Sequence, residues 1–256
     1  TLRTLWELPR KLKYPESVVY DSKRDVLYVS NYFNNGNEFI SKITLGGKIV
    51  ELSWVSGLRQ PTGLCLSDEY LYAVDRRSLF KIDIDSAKIV ATYPIPGAAF
   101  PNDITADEAG HLYITDSQKN AIIMFSNGQF TSFLEGPQLS GVNGILYDSG
   151  KLLVGVTGDA SIKQIDVGSK EISTLARLES GSVMDGLRKD GKGNYLFSDY
   201  NGRLFRLSRT GKVDMLLNTK APQRPCADFE YIPDRRLLII PSLLDNRIIA
   251  YKLLSD

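Results

Sequence analysis

Six residues recur at nearly even intervals: Glu16, Thr62, Asn102, Asn143, Asp185 and Asp228, separated by 46, 40, 41, 42 and 43 residues. Five carry carboxylate or amide oxygens and Thr62 carries a hydroxyl. Carboxylates mixed with amide oxygens suit Ca²⁺, which takes about six to eight oxygens at about 2.3–2.6 Å. Mn²⁺ or Mg²⁺ would use the same donors, and Zn²⁺ is a borderline fit because no nitrogen or sulfur ligand is offered. Carboxylates crowded into a low-dielectric space repel unless protonated, paired or neutralised by a cation. No Lys or Arg stands at an equivalent position. Asn and Asp also cap turns where a loop enters a strand, so one such residue would carry little; five in register point to a metal. The last position is ambiguous, because an extra residue before the Asp234 turn leaves Asp228 or Phe229 in the register.

The elements that must position these residues repeat with the same period. "YPESVVYDSKRDVLYVSN" from Tyr14, "QPTGLCLSDEYLYAVD" from Gln60 and "FPNDITADEAGHLYITDS" from Phe100 align with "GVNGILYDSGKLLVGV" from Gly141, "VMDGLRKDGKGNYLFSD" from Val183 and "PCADFEYIPDRRLLIIPS" from Pro225. Each reads as a polar residue, a short apolar strand, an Asp-containing turn and a second strand, and third and fourth strands follow in most units. A repeat of roughly 40–45 residues with four short strands is the signature of a propeller blade. The fold class expected is all-β, a six-bladed β-propeller with four antiparallel strands per blade, in a single domain over 1–256. The sixth repeat ends after three strands, so the N-terminal strand 1–9 is expected to complete blade six and close the ring without a long unpaired edge. In that fold the first strands line a central channel, and the six residues would open onto one end of it.

The motifs "PES" at Glu16, "PND" at Asn102, "VNG" at Asn143 and "MDG" at Asp185 resemble the metal-site motifs of the senescence marker protein (regucalcin)/gluconolactonase family, blade by blade over the whole chain. The resemblance implies a divalent cation held by Glu16, Asn102, Asn143 and Asp185, lactone hydrolysis, and Asp185 serving as both ligand and general base. Sugar-lactone hydrolases of that family commonly place an arginine two residues before the asparagine matching Asn102. Phe100 stands there instead, which tilts the pocket toward a less polar ligand.

The function expected is metal-dependent opening of a lactone or related ester, with Asp185 or Asp228 as the catalytic base. Phe100, Phe33, Lys119, Met184 and Tyr200 are the substrate contacts expected from loops; the adjacent Arg76 and Arg77 weigh less, since neighbours in a strand face opposite ways. Two rivals stand beside this reading: a non-catalytic, metal-stabilised propeller acting as an interaction module, since "NDITADEAGHLYITDSQKNAIIMF" is also similar to an NHL repeat, and a phosphotriesterase-like hydrolase. The partner expected is a small molecule. With 31 basic against 30 acidic residues and a net charge of +1, there is no nucleic-acid footprint or polybasic membrane patch. A monomer is expected. The compartment is open: periplasmic or secreted if a leader is removed, cytoplasmic otherwise. Cys65 and Cys226 lack metal or redox spacing, and His111, the one histidine, follows the Asp107 turn and reads as a surface residue.

Overall fold

A computed structural model of the chain describes residues 1–33 and 35–254. It is an all-β, six-bladed propeller with four antiparallel strands per blade. Blade one is β2 (Pro15–Asp21), β3 (Val26–Asn31), β4 (Glu38–Thr44) and β5 (Ile49–Leu58), and blade two is β6 (Leu64–Ser67), β7 (Tyr70–Val74), β8 (Ser78–Asp83) and β9 (Lys88–Pro94). Blade three is β10 (Pro101–Ala106), β11 (Leu112–Asp116), β12 (Ala121–Ser126) and β13 (Gln129–Glu135), and blade four is β14 (Val142–Asp148), β15 (Lys151–Val156), β16 (Ser161–Asp166) and β17 (Ile172–Arg177). Blade five is β18 (Met184–Lys189), β19 (Tyr195–Asp199), β20 (Arg203–Leu207) and β21 (Val213–Asn218). Blade six combines β22 (Glu230–Ile232), β23 (Leu237–Ser242) and β24 (Arg247–Leu253) with β1 (Leu2–Pro9), in the order β1-β24-β23-β22.

The chain divides into two compact units, residues 1–61 with 185–256, and residues 62–184. The first contains the core of Leu12, Val18, Leu27, Val29, Ile43, Ile239 and Ile248, and a second cluster around Phe229, Leu238 and Tyr251. The other contains one cluster around Ile122, Val142, Ile145 and Val154 and another around Val74, Leu79, Ile104 and Ile114. Each fully buried Val, Leu or Ile contributes about 1.5–3 kcal/mol. No helix is long and apolar enough to cross a membrane, among the described residues.

The Asp-containing turns have a common cause. Asp21 Oδ1 accepts from the Lys23 and Arg24 N–H groups at 3.0 and 3.2 Å, and Asp107 Oδ1 from Ala109 and His111 at 3.0 and 2.8 Å. Asp190 Oδ1 does the same for Lys192 and Asn194 at 2.7 and 2.9 Å. The aspartate folds the chain back from first to second strand by satisfying turn amides that the ladder cannot reach.

The expectation for the N-terminal strand holds. β1 pairs antiparallel with β24 from Leu2↔Leu253 to Pro9↔Arg247, with a bulge between Thr4 and Trp6. Trp6 then reaches blade one, its indole Nε1 donating to Leu45 O at 2.8 Å. Gly47, at φ +79°, lies under that ring, and a Cβ there would meet Trp6 at 2.6 Å.

Candidate functional site

The polar residues that open the first strands are set by a repeated bulge. Pro15 pairs with Asn31 and Val18 with Val29, so Glu16 and Ser17 oppose Ser30 alone. Asn102 and Asp103 oppose Thr115 in the same way, and Asn143 and Gly144 oppose Gly155. A bulge gives one strand an extra residue and re-aims its side chains. The second bulge residue is then tied to a hydroxyl on the neighbouring strand: Ser17 N donates to Ser30 Oγ at 3.0 Å, Asp103 N to Thr115 Oγ1 at 3.0 Å and Gly186 N to Ser198 Oγ at 2.8 Å. These hydroxyls were not singled out from the sequence. Their only trace there is a small hydroxyl residue one place before the end of β3, β11 and β19, in "YVSN", "YITD" and "LFSD".

This pattern corrects the register of blade six. Thr115 Oγ1 donates to Asn143 O at 2.7 Å, and Ser198 Oγ makes the equivalent bond to Ala227 O at 3.1 Å. Likewise Gly63 N donates to Asn102 O at 2.7 Å, and Asp228 N to Glu16 O at 3.0 Å. Ala227 therefore holds the position expected for Asp228 or Phe229, and Asp228 is the residue after it, equivalent to Gly63 and Asp103. Phe229 is fully buried in an apolar cluster.

Asp228 is also not the free base expected of it. Its Oδ2 accepts from Ser17 Oγ at 2.6 Å and from Arg188 Nη2 at 3.2 Å, and its Oδ1 lies 3.1 Å from Arg188 Nη1. Arg188 Nε lies 3.3 Å from Glu230 Oε1, and its Nη1 and Nη2 donate to Leu187 O and Val18 O at 2.7 and 3.4 Å. Glu230 is held further by the Tyr20 and Tyr231 amides at 3.0 and 2.8 Å. Burial raises its carboxyl above the usual range, against the lowering pull of Arg188. Gly186 makes room for this arrangement, since a Cβ there would stand 2.6 Å from Asp228 Oδ1. The guanidinium comes from three residues beyond the metal register, and for that reason the repeat pattern did not reveal it.

In the same unit, Glu16 and Asp185 are 8% and 5% exposed. Burial pushes the Tyr200 phenol up to about 12, and the negative charges of Asp185 and Glu16 push it in the same direction. Two carboxylates from separate blades thus act on one hydroxyl. Phe33, on the loop after β3, packs edge-on against Phe39 with centroids 5.4 Å apart. Met184, the last residue of the other unit, departs from expectation: it is the first residue of β18 and 0% exposed, which leaves it no surface for a substrate.

In the unit of residues 62–184, Asn102 Nδ2 donates to Ser117 Oγ at 3.0 Å, which fixes the orientation of its amide. The Asn143 Oδ1 atom is buried with no hydrogen-bond partner. Leaving such an acceptor unsatisfied costs about 1–3 kcal/mol, a cost that a hard cation removes. Asp103 is fully engaged, with Oδ1 accepting from Ile104 N and Oδ2 from Ile145 N, both at 2.8 Å. The Thr62 hydroxyl is directed at Pro101 O, 3.2 Å away.

Phe100 is anchored by Asp116, whose two oxygens accept from the Ala99 and Phe100 amides at 2.8 and 3.0 Å. The guanidinium carbon of Arg76 lies 4.7 Å from the Phe100 ring centroid. A positive group is therefore present beside Phe100 after all, supplied from the loop after β7. Lys119, on the β11–β12 loop, is exposed, with its ammonium close to Gly97. His111 is not an isolated surface residue: its Nδ1 lies 2.7 Å from Asp107 Oδ2, and Tyr113 OH donates to the same oxygen at 3.3 Å.

The donors fit a hard cation by their chemistry and by the unsatisfied oxygen of Asn143. Among the described residues no group of three or more His, Cys, Asp or Glu is arranged to hold a metal ion. The expected donor set contains only two residues of those types, Glu16 and Asp185, beside two asparagines.

Solved structures with this fold carry different activities. A gluconolactonase from Xanthomonas campestris superposes with a TM-score of 0.77 at 15% identity, over 98% of this chain and 89% of that one. A catalytically inactive variant of virginiamycin B lyase from Staphylococcus aureus, solved with quinupristin, gives 0.71 at 17% identity over 99% of both chains. The WD40 propeller domain of Doa1 gives 0.72 at 14%, over 93% and 78%. No protein-family model and no curated protein sequence matches the chain. At such identities the likeness establishes the fold alone.

Proposed function

We propose that the chain is a divalent-metal-dependent hydrolase of the gluconolactonase-like type that opens a lactone or related ester. The observation that carries this reading is the repeated bulge: it sets Glu16, Asn102 and Asn143 at one register, and the amide oxygen of Asn143 is buried there without a donor. Glu16, Asn102, Asn143 and Asp185 would hold the ion, with Ca²⁺ the best match to carboxylate and amide oxygens and Mn²⁺, Mg²⁺ or Zn²⁺ as alternatives. When bound, such a cation polarises a carbonyl oxygen and offsets the charge that grows on it.

The side chains supply the rest. Asp185 is the general base, removing a proton from the attacking water; Asp228, held by Arg188 and Ser17, is less suited to that role. Tyr200, with its phenol held up to about 12, stays protonated at neutral pH and can donate to a substrate oxygen. Phe100 supplies an apolar wall and Arg76 a cation over its ring.

A panel of lactones, aryl esters and phosphotriesters, each run with Ca²⁺ and with a chelator, tests the reading. Chelator-sensitive turnover of lactones or esters that Asp185→Asn lowers by about 10²-fold or more supports it. Turnover of phosphotriesters alone would assign a different hydrolase. Metal uptake with no turnover would leave a metal-stabilised interaction module.

A further inference from the structure

The loops between β13 and β14 and between β15 and β16 border an open cavity of about 430 Å³ that the metal-centred reading does not use. Pro137, Val156 and Gly158 form its apolar and backbone walls, and Asp159, Lys163 and Arg177 supply its charge. All belong to the unit of residues 62–184.

Lys163 rises from the middle of β16, and its side chain is only 8% exposed. Its ammonium donates to Gln138 O at 2.6 Å and lies 3.1 Å from Asp159 Oδ2. Arg177 Nη1 donates to the same Asp159 oxygen at 2.7 Å. The other oxygen, Oδ1, takes the Ser161 hydroxyl at 2.5 Å. Burial works to raise the Asp159 carboxyl, but the bonds from Ser161, Lys163 and Arg177 outweigh it and hold the group below the usual carboxylate range. It is therefore ionised at neutral pH.

Two cations thus share one carboxylate, and the cavity carries one positive charge in excess. An ammonium has three donors and a guanidinium five, more than the Asp159 carboxylate, the Asp159 carbonyl (3.4 Å from Arg177 Nη1) and the Gln138 carbonyl engage. Lys163 is the desolvated cation and Asp159 its partner, whereas the Arg177 side chain is 56% exposed and keeps guanidinium donors available to an arriving anion.

We propose that this cavity is a binding site for a small oxyanion, the carboxylate or phosphate of an organic ligand, gripped by Lys163 and Arg177, with Asp159 as its internal competitor. The volume leaves room for an apolar body against Pro137, which is exposed, beside the charged head. The site stands independently of the metal, so chelator-treated protein serves for its test.

The test is calorimetric titration of that protein with inorganic phosphate, phenyl phosphate and benzoate, and with benzylamine as the cationic control. The proposal expects saturable binding of at least one of the anions and none of benzylamine. Arg177→Ala, at an exposed position that the core does not need, weakens binding about tenfold or more. Asp159→Asn strengthens it, because a competing negative charge is removed from beside the two cations. Lys163→Met confirms the buried cation if circular dichroism shows it folded; the two other variants decide the matter if it is not. Phosphate binding without benzoate identifies a phosphate site, and the reverse a carboxylate site. Absence of saturable anion binding, an unchanged affinity in Arg177→Ala, or weaker binding in Asp159→Asn would overturn the proposal.

Discussion

Replacing Arg188 with methionine probes how a buried pair of carboxylates is tolerated. The Arg188, Asp228 and Glu230 side chains are 16%, 3% and 12% exposed. The substitution removes two ion pairs and the guanidinium bonds to Leu187 O and Val18 O while keeping an apolar stem of similar length. Breaking a buried pair by deleting one partner costs about 3–5 kcal/mol, whereas neutralising all partners together is often close to neutral. Arg188→Met should therefore lose about 3–5 kcal/mol, and Arg188→Met with Asp228→Asn and Glu230→Gln should regain a large part of it.

The loss should also depend on pH. The folded-state carboxyl of Glu230 is raised above its unfolded value, so the stability linked to its proton is fully present below the unfolded value and is lost as pH rises through the folded one. Arg188 restrains that rise; without it the folded value climbs further and the deficit grows from pH 5 to pH 8. Urea denaturation followed by circular dichroism at both pH values measures this. A loss under about 1 kcal/mol, or the same loss at both pH values, would refute the electrostatic argument and leave Arg188 as a packing residue.

Other outcomes follow from the same geometry. Cation binding should lower the Tyr200 phenol from about 12, since the charges of Asp185 and Glu16 that help hold it up would be offset; NMR of ¹³C-labelled tyrosines with Tyr200→Phe as the assignment control reads the shift. Gly47→Ala forces a Cβ into the Trp6 ring and requires a positive φ of alanine, so the melting temperature should fall with a loss of at least about 1–3 kcal/mol. His111→Ala removes the partner that holds the Asp107 carboxyl down. Stability from that group is present above its unfolded value and lost as pH falls through the folded one, so the variant should be less stable than wild type at pH 7 and converge with it in acid once the group is protonated in both.

The fold was legible because a propeller repeats its local signals. The Asp turns, the spacing of the strand-opening donors and the missing fourth strand of blade six each pointed to the same architecture, and β1 pairs with β24 as that count required. The site was only partly legible. Glu16, Asn102 and Asn143 sit in equivalent bulges, as their spacing suggested, but a bulge and a one-residue insertion look alike in sequence. Asp228 was therefore placed one position off, where Ala227 stands. Arg188 was obscure for another reason: a long side chain acts several ångströms from its backbone, so a repeat register says little about where its charge ends up. Arg76 was discounted as a strand residue, but it lies on the loop between β7 and β8. Met184 misled because its loop-like neighbours hide that it already begins β18.

The central claim is that the residues opening the first strands hold a divalent cation. Calorimetric titration of Ca²⁺ into chelator-stripped protein tests it most directly, with Glu16→Gln and Asp185→Ala alongside and circular dichroism confirming that both variants are folded. The account predicts binding of one Ca²⁺ per chain in the wild type, lost or strongly weakened in both variants. Wild-type protein that takes up neither Ca²⁺ nor Mn²⁺, Mg²⁺ or Zn²⁺, or variants that bind as wild type does, would contradict it.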